Sequence, residues 1–181
     1  MKTIQICGVM SAVLLLACKE AEPGAGELKS AELSPALRQV FETIPRGEAQ
    51  DIHRLRTTAK EGDEVTVQGR IMGVESPFVD GRAICILGDP KILTPCNEIP
   101  GDSCETPWDV CCDSAEDKKI GTATLQIVDA EGRVLKQGLE GVRGMEKLGW
   151  VKVSGKVAAG SSVERLVIHA TAIQVGRPMG E

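Results

Sequence analysis

Hydrophobic and polar residues alternate in two separated segments of the chain, 64–71 (EVTVQGRI) and 150–157 (WVKVSGKV). In each segment apolar residues and one glycine share a face, and mostly polar residues share the other. This is the period of a half-buried β-strand. Gly69 and Gly155 fall on the apolar faces, where a missing side chain is typical of a strand that bends sharply in a small closed barrel. The two segments therefore predict strands of one barrel.

Three further segments have strand-like patterning, in the order 79–88, 122–128 and 165–175. The second is expected to continue through a turn into another extended stretch, 133–139, and residues 140–148 are expected to hold a short helix. In the last strand the apolar residues change face, which predicts a bulge near Thr171 and Ala172. The apolar faces give a predicted core of Val67, Ile71, Leu125, Ile127, Val153 and Ile168.

Helical periodicity precedes the barrel, in residues 34–61. Ser34 and Pro35 are suited to begin the first helix, which Pro45 ends. The apolar positions of the two predicted helices are Ala36, Leu37, Val40, Phe41 and Ile44, and then Ala49, Ile52, Leu55 and Ala59. His53 lies beside the second apolar stripe, so we interpret it as a partly exposed surface histidine.

The first 17 residues have the pattern of a secretory signal peptide. Lys2 precedes an apolar stretch, 4–17, that is too short to span a bilayer as a mature helix. Its end, Leu-Leu-Ala followed by Cys18, resembles the lipobox of bacterial lipoproteins. The resemblance implies cleavage before Cys18 and lipidation of its sulfur. An ordinary signal peptide with a cysteine near its cleavage site is the alternative.

The expected mature protein is thus an acidic domain on a lipid anchor in the cell envelope. Residues 18–33 are small, charged and rich in Pro and Gly, which predicts a flexible tether. Loss of residues 1–17, with Lys2 as their one charge, takes the net charge from −5 to −6. Lys19 is not the aspartate associated with inner-membrane retention, so by resemblance to lipoproteins the outer membrane is expected.

The strand order also resembles a known fold. The segments GDEVTVQGRI, VDGRAICILGD, WVKVSGKV and ERLVIHATAIQV look like a five-stranded OB-fold of the kind found in bacterial tRNA-anticodon-binding-like domains. The resemblance implies a mainly β fold, with an OB-fold-like barrel over residues 62–176, an N-terminal helical segment and a Cys-rich insertion between strands 2 and 3. The Thr-Pro-Trp-Asp-x-Cys-Cys run of the insertion resembles uncharacterised lipoproteins of similar layout, a class that implies no activity.

The insertion, residues 89–119, is the most unusual part of the chain, and we refer to it as the cysteine loop. It contains Cys96, Cys104, Cys111 and Cys112. A connection of this length without helix or strand patterning needs cross-links to hold it in one conformation. Outside the cytoplasm, two disulfides are the expected cross-links. The plausible pairings join the first two cysteines to the last two in either order.

Metal binding is the alternative role of these four cysteines, because three or four thiolates can bind zinc or copper(I). The spacing Cys-x7-Cys-x6-Cys-Cys lacks the paired CxxC of recognisable zinc sites, and a redox-active pair is a third interpretation. In the disulfide interpretation no cofactor is expected. Cys85 lies in the apolar strand AICIL, so we expect a buried, unreactive thiol.

Trp108 and Asp109, at the centre of the cysteine loop, are candidate binding residues. An exposed tryptophan is a suitable anchor for a partner, whereas a tryptophan folded over the loop would form a local core. The surrounding acidic residues do not follow the ligand register of an EF-hand calcium loop. A solvated loop is therefore the better interpretation of these acids.

An enzyme is not expected, since the mature chain has only two histidines, His53 and His169, and no nucleophile-elbow or phosphate-binding motif. The leading hypothesis is a non-catalytic binding module for an envelope protein or glycan. A metal-binding lipoprotein is the alternative. Single-stranded nucleic-acid binding is a further alternative, which the negative charge and the scarcity of aromatic residues make unlikely.

Overall fold

The computed structural model describes residues 33–177. The predicted signal peptide 1–17, the predicted lipidation site Cys18 and all but the last residue of the predicted tether lie outside the described residues. Within 33–177, no helix has the length and apolar character needed to cross a membrane.

The protein is mainly β, and its five strands close into a barrel. The strands are β1 (Glu64–Ile71), β2 (Ile84–Gly88), β3 (Thr122–Gln126), β4 (Trp150–Val157) and β5 (Val167–Val175). The order around the barrel is β1-β2-β3-β5-β4, with β4 paired back to β1 and only the β3–β5 pair parallel. The helices are α1 (Pro35–Glu42), α2 (Ile52–Thr58) and α3 (Ala115–Gly121). The predicted fold class is therefore confirmed, with the helical segment before the barrel and the cysteine loop between β2 and β3.

The barrel core includes the six side chains predicted from the alternation. All six predicted core residues are fully buried, and they belong to one apolar cluster that also includes Leu37 of α1 and Ile52 of α2. The predicted bulge is also confirmed, because Ser154 pairs with Ala172 whereas Gly155 pairs with Ala170, which leaves Thr171 without an opposite residue.

The two strand glycines lie where neighbouring backbones approach most closely. A Cβ on Gly69 would lie 2.9 Å from the carbonyl oxygen of Gly88, and one on Gly155 would lie 2.3 Å from that of His169. Any side chain at either position would collide with the adjacent strand. The strong curvature of a five-stranded barrel explains why the alternation has glycines at these positions.

The first helix begins as predicted, since Ser34 is the N-cap and its hydroxyl accepts a hydrogen bond from the backbone N–H of Leu37. Two details of the helical segment differ. The second helix begins at Ile52, because Gln50 forms a β-bridge with Val67. Ile44 is 74% exposed, because the chain has left the helix after Glu42.

Three other segments differ from the sequence prediction. Residues 133–139 are not a strand, and only an isolated bridge between Val128 and Val134 forms there. The second strand begins at Ile84, because residues 79–82 form a turn in which the N–H of Arg82 donates to the carbonyl of Val79. Within 140–148 there is only a 3-10 turn, Val142–Gly144.

Candidate functional site

Backbone hydrogen bonds join the two sides of the cysteine loop. The N–H of Cys96 donates to the carbonyl of Asp109 at 2.8 Å, and the N–H of Asn97 donates to the carbonyl of Pro107 at 3.0 Å. The carboxylate of Asp113 accepts from the N–H of Thr94 at 2.9 Å. These bonds bring the segment before Cys96 alongside the segment that leads into Cys111 and Cys112.

A small apolar cluster, the mini-core, fastens the loop to the barrel. It consists of buried Met72, Leu93 and Val110, with Ile92, Trp108 and Leu148 packed against it. Two glycines make room for it. A Cβ on Gly88 would lie 2.6 Å from Met72, and one on Gly121 would lie 2.7 Å from Leu93. The loop therefore has a core of its own, and its end is ordered as α3 rather than being without secondary structure.

The four loop cysteines lie together. The sulfur atoms of Cys96, Cys104 and Cys111 are all within 4.8 Å of one another. Cys96 Sγ is 3.4 Å from Cys111 Sγ, and Cys111 Sγ is 4.0 Å from Cys112 Sγ. Asp102 completes the group, with a carboxylate oxygen 3.9 Å from Cys112 Sγ. A single small volume is thus surrounded by sulfur atoms and one carboxylate.

All five cysteines of residues 33–177 are free thiols in this structure. The predicted disulfides therefore stay a prediction. Of the two pairings considered, the 3.4 Å separation favours the one that joins Cys96 to Cys111. Cys85 is fully buried in β2 and therefore remote from solvent, and its burial raises the pKa of the thiol to about 12.

The environments of the loop cysteines differ. Burial, followed by the hydrogen bond with Cys111, raises the pKa of Cys96. The hydroxyl of Thr106, 3.2 Å from Cys104 Sγ, lowers the pKa of Cys104 by stabilising the thiolate. The pKa of Cys112 is raised, chiefly by its hydrogen bond with Cys111. A cation bound to these sulfurs would favour the thiolate at every ligand.

Two of the sulfur–sulfur distances are close to those of a tetrahedral thiolate site. Zn–S bonds of about 2.3 Å in tetrahedral geometry place the sulfurs about 3.8 Å apart. The observed separations of 3.4 Å and 4.0 Å lie on either side of that value. The donor set is soft, which suits zinc or copper(I) and not calcium or magnesium.

Trp108 and Asp109 lie in this loop but do not project freely from it. Trp108 is half-buried, its Nε1 donates to the carbonyl of Glu75 at 2.8 Å, and the ammonium of Lys147 lies 4.2 Å from the ring centre. Asp109 is half-buried, and its backbone carbonyl accepts from Cys96. Trp108 therefore packs as part of the mini-core.

A second concave feature lies on the barrel. It is a polar groove of about 670 Å³, lined by residues that include Gln68, Trp150, Arg54 and Lys91. At its edge the ring nitrogen Nδ1 of His53 lies 2.8 Å from the carboxylate of buried Asp89. His53 is thus held by a partner and only partly exposed.

Two members of the cysteine cluster, Asp102 and Thr106, were not predicted from the sequence. Asp102 accepts from the N–H of Cys104 at 2.6 Å, and Thr106 contacts the sulfur of the same residue. The spacing Asp-x-Cys-x-Thr around Cys104 is a local signal that could have identified both. The place of Met72 in the mini-core had no comparable local signal, because its contacts are with residues distant in sequence.

Comparison with known proteins gives no match. The sequence matches no protein-family model, and no curated protein or solved structure is significantly similar to it. The function proposed below therefore depends on the contacts within the cysteine loop.

Proposed function

We propose that this protein is a non-catalytic, membrane-anchored lipoprotein of the cell envelope that binds a soft metal ion, zinc or copper(I), through the cysteine loop. The observation that carries the proposal is the convergence of Cys96, Cys104 and Cys111, whose sulfurs lie within 4.8 Å of one another. Cys112, whose sulfur lies 4.0 Å from that of Cys111, is the candidate for a fourth thiolate. The lipid anchor is proposed from the sequence before Cys18.

A binding role is supported by the positions of the two histidines. His53 Nδ1 lies 2.8 Å from the carboxylate of Asp89, and His169 lies in β5, where its backbone pairs with β3 and β4. Neither histidine is among the residues of the cysteine cluster. The cluster therefore offers ligands for an ion without a histidine to act as general acid or base, and its one carboxylate, Asp102, accepts from the N–H of Cys104.

Metal analysis of the purified, reduced protein tests the proposal. We expect one zinc or copper(I) per chain, protection of the loop thiols from alkylation while the metal is bound, and thiolate-to-metal charge-transfer absorption after substitution with Co2+. Cys96→Ser should abolish stoichiometric binding, since its sulfur lies within 4.8 Å of the ligand atoms of the other three cysteines and of Asp102. Cys85→Ala, in the barrel core, is the matched control and should retain the metal.

The disulfide hypothesis gives the opposite result in the same experiment. An air-oxidised protein without metal, lighter by four hydrogens than its reduced form, would show that the four cysteines form two disulfides. Such a protein would not bind zinc without a reductant. That outcome would reject the metal proposal and show that the loop is a disulfide-linked surface.

A protein or glycan ligand at the barrel groove is the second candidate, and the groove beside Trp150 is the observation that favours it. Titration of a Trp108→Phe variant with envelope glycans or peptides would report on Trp150 alone. Quenching of Trp150 fluorescence by the ligand, lost when Gln68→Ala is added to this variant, would support this candidate. Unchanged fluorescence would count against it.

Nucleic-acid binding is the weakest of the proposals. Two basic residues of the barrel strands are engaged within the protein: Arg70 pairs with Glu98, and Lys152 donates to the carbonyl of Gly47. The negative net charge adds no long-range attraction for phosphates.

A further inference from the structure

We propose that the metal is exchangeable cargo, which passes across Cys111 and Cys112 to a thiol-bearing acceptor protein with a basic surface. This inference rests on the proposed function, because it concerns the same four cysteines. It assigns the site a role in metal transfer, whereas a structural site would keep its metal to hold the loop together.

The loop does not depend on a metal for its shape. Its two sides are joined by the backbone bonds from Cys96 to Asp109 and from Asn97 to Pro107. The carbonyl of Trp108 also accepts from the N–H of Gly73, at 3.1 Å, which ties the loop to the end of β1. These contacts surround the cysteines without including a sulfur atom.

The mini-core adds apolar burial to these hydrogen bonds. Met72, Leu93 and Val110 are at most 2% exposed. Small metal sites that fold only with metal lack such a core, whereas this loop has one. The ligands are thus held close together before the ion arrives, and its departure leaves the loop folded.

Exposure of the ligands increases from one side of the site to the other. Cys96 is buried, Cys104 is half-buried, and the adjacent Cys111 and Cys112 are exposed. Structural zinc sites are closed, and exchange requires that an incoming ligand reach the ion. Here the incoming ligand has access at the side of the two exposed sulfurs, while Cys96 retains the ion from beneath.

The transfer is a sequence of ligand substitutions. A thiolate of the acceptor forms a bond to the metal while the bond from Cys112 breaks, and a second acceptor thiolate replaces Cys111 in the same way. The bonds from Cys104 and Cys96 break last, and water or further acceptor side chains fill the two vacated coordination positions. The proton lost by each acceptor thiol is taken up by the released cysteine sulfur or by buffer. The metal keeps its oxidation state, so the step requires no oxidant or reductant.

Charge around the exposed side indicates the acceptor. The exposed acids Asp102 and Glu105 border the cysteines, whereas the nearby Glu98 is paired with Arg70. Lys118, another nearby base, is directed to the backbone, where it donates to the carbonyl of Cys111 at 3.2 Å. An acceptor with basic residues beside its thiols would be attracted to this rim and would associate faster at low salt.

Stopped-flow transfer from the zinc-loaded purified protein tests the inference. The acceptors are two synthetic dithiol peptides, one with lysines and one with glutamates beside its cysteines. We expect the rate to rise in proportion to peptide concentration. The cationic peptide should be about tenfold faster at low salt, and this advantage should vanish at 1 M salt, where the Debye length is about 3 Å. Glu105→Gln should reduce the advantage, and Glu131→Gln, on a different turn, should not.

Circular dichroism of the emptied protein is the second measurement. We expect the aromatic signal of the tryptophans and the melting transition to persist after zinc is removed. A rate independent of acceptor concentration, or loss of the aromatic signal with the metal, would mean that the metal is structural. Equal rates for the two peptides would refute the basic acceptor. Failure to bind either zinc or copper(I) stoichiometrically before transfer would instead reject the proposed function itself.

Discussion

Replacement of Gly155 by alanine adds one methyl group at the closest approach between β4 and β5. The added Cβ would lie 2.3 Å from the carbonyl oxygen of His169 and 2.9 Å from Ile168 Cγ2. Ordinary contact begins near 3.4 Å, so relief requires the strands to separate by about 1 Å. The nearest atom belongs to the backbone of a paired strand and cannot move alone. The strain therefore spreads through the β4–β5 ladder.

Overpacking of a well-filled interior costs about 1–3 kcal/mol, and a backbone collision places Gly155→Ala at the upper end of that range. For a domain of this size, each kcal/mol lowers the melting temperature by about 3 °C, so the expected decrease is about 10 °C. Thermal melts followed by circular dichroism measure the decrease, and urea titration checks that it reflects a change in the free energy of unfolding.

Gly138→Ala is the matched control. A Cβ at this position has no neighbour nearer than 3.7 Å, and Gly138 is not among the glycines with positive φ. Its replacement should leave stability unchanged or raise it by about 0.4–1 kcal/mol, since alanine restricts the unfolded chain. Equal melting temperatures for the Gly155→Ala and Gly138→Ala proteins would refute the close-approach explanation for the barrel glycine.

Two further predictions concern the barrel and the anchor. Val153→Asp should abolish the cooperative melt, because an unpaired charge in the core costs several kcal/mol of a total stability of about 5–15 kcal/mol. Gln174→Asp, on the exposed side of β5, should melt close to the wild type, and a native melt of Val153→Asp would show that the strand faces the other way. Cys18→Ser should lose incorporation of a fatty-acid analogue and the cleavage that follows it. Label retained by Cys18→Ser would contradict lipidation at this residue.

The sequence alone determined the barrel strands and their inner faces. Strand alternation is local, so the positions of Val67 and Val153 follow from their immediate neighbours. The change of face of the apolar residues near Thr171 was likewise visible in the sequence, and the structure has a bulge there. Where the alternation was carried by few residues, as in 133–139, it did not predict pairing, because a strand forms only where another edge is available to receive its hydrogen bonds.

The tertiary structure decided which distant residues meet. Cys96 and Cys111 are 15 positions apart, and backbone bonds between the two sides of the loop bring their sulfurs to 3.4 Å. His53 and Asp89 are 36 positions apart and meet because α2 lies beside the end of β2. No local period encodes such contacts. They depend on barrel closure and on the packing of the mini-core. These two features determine the relative positions of residues that are far apart in the sequence.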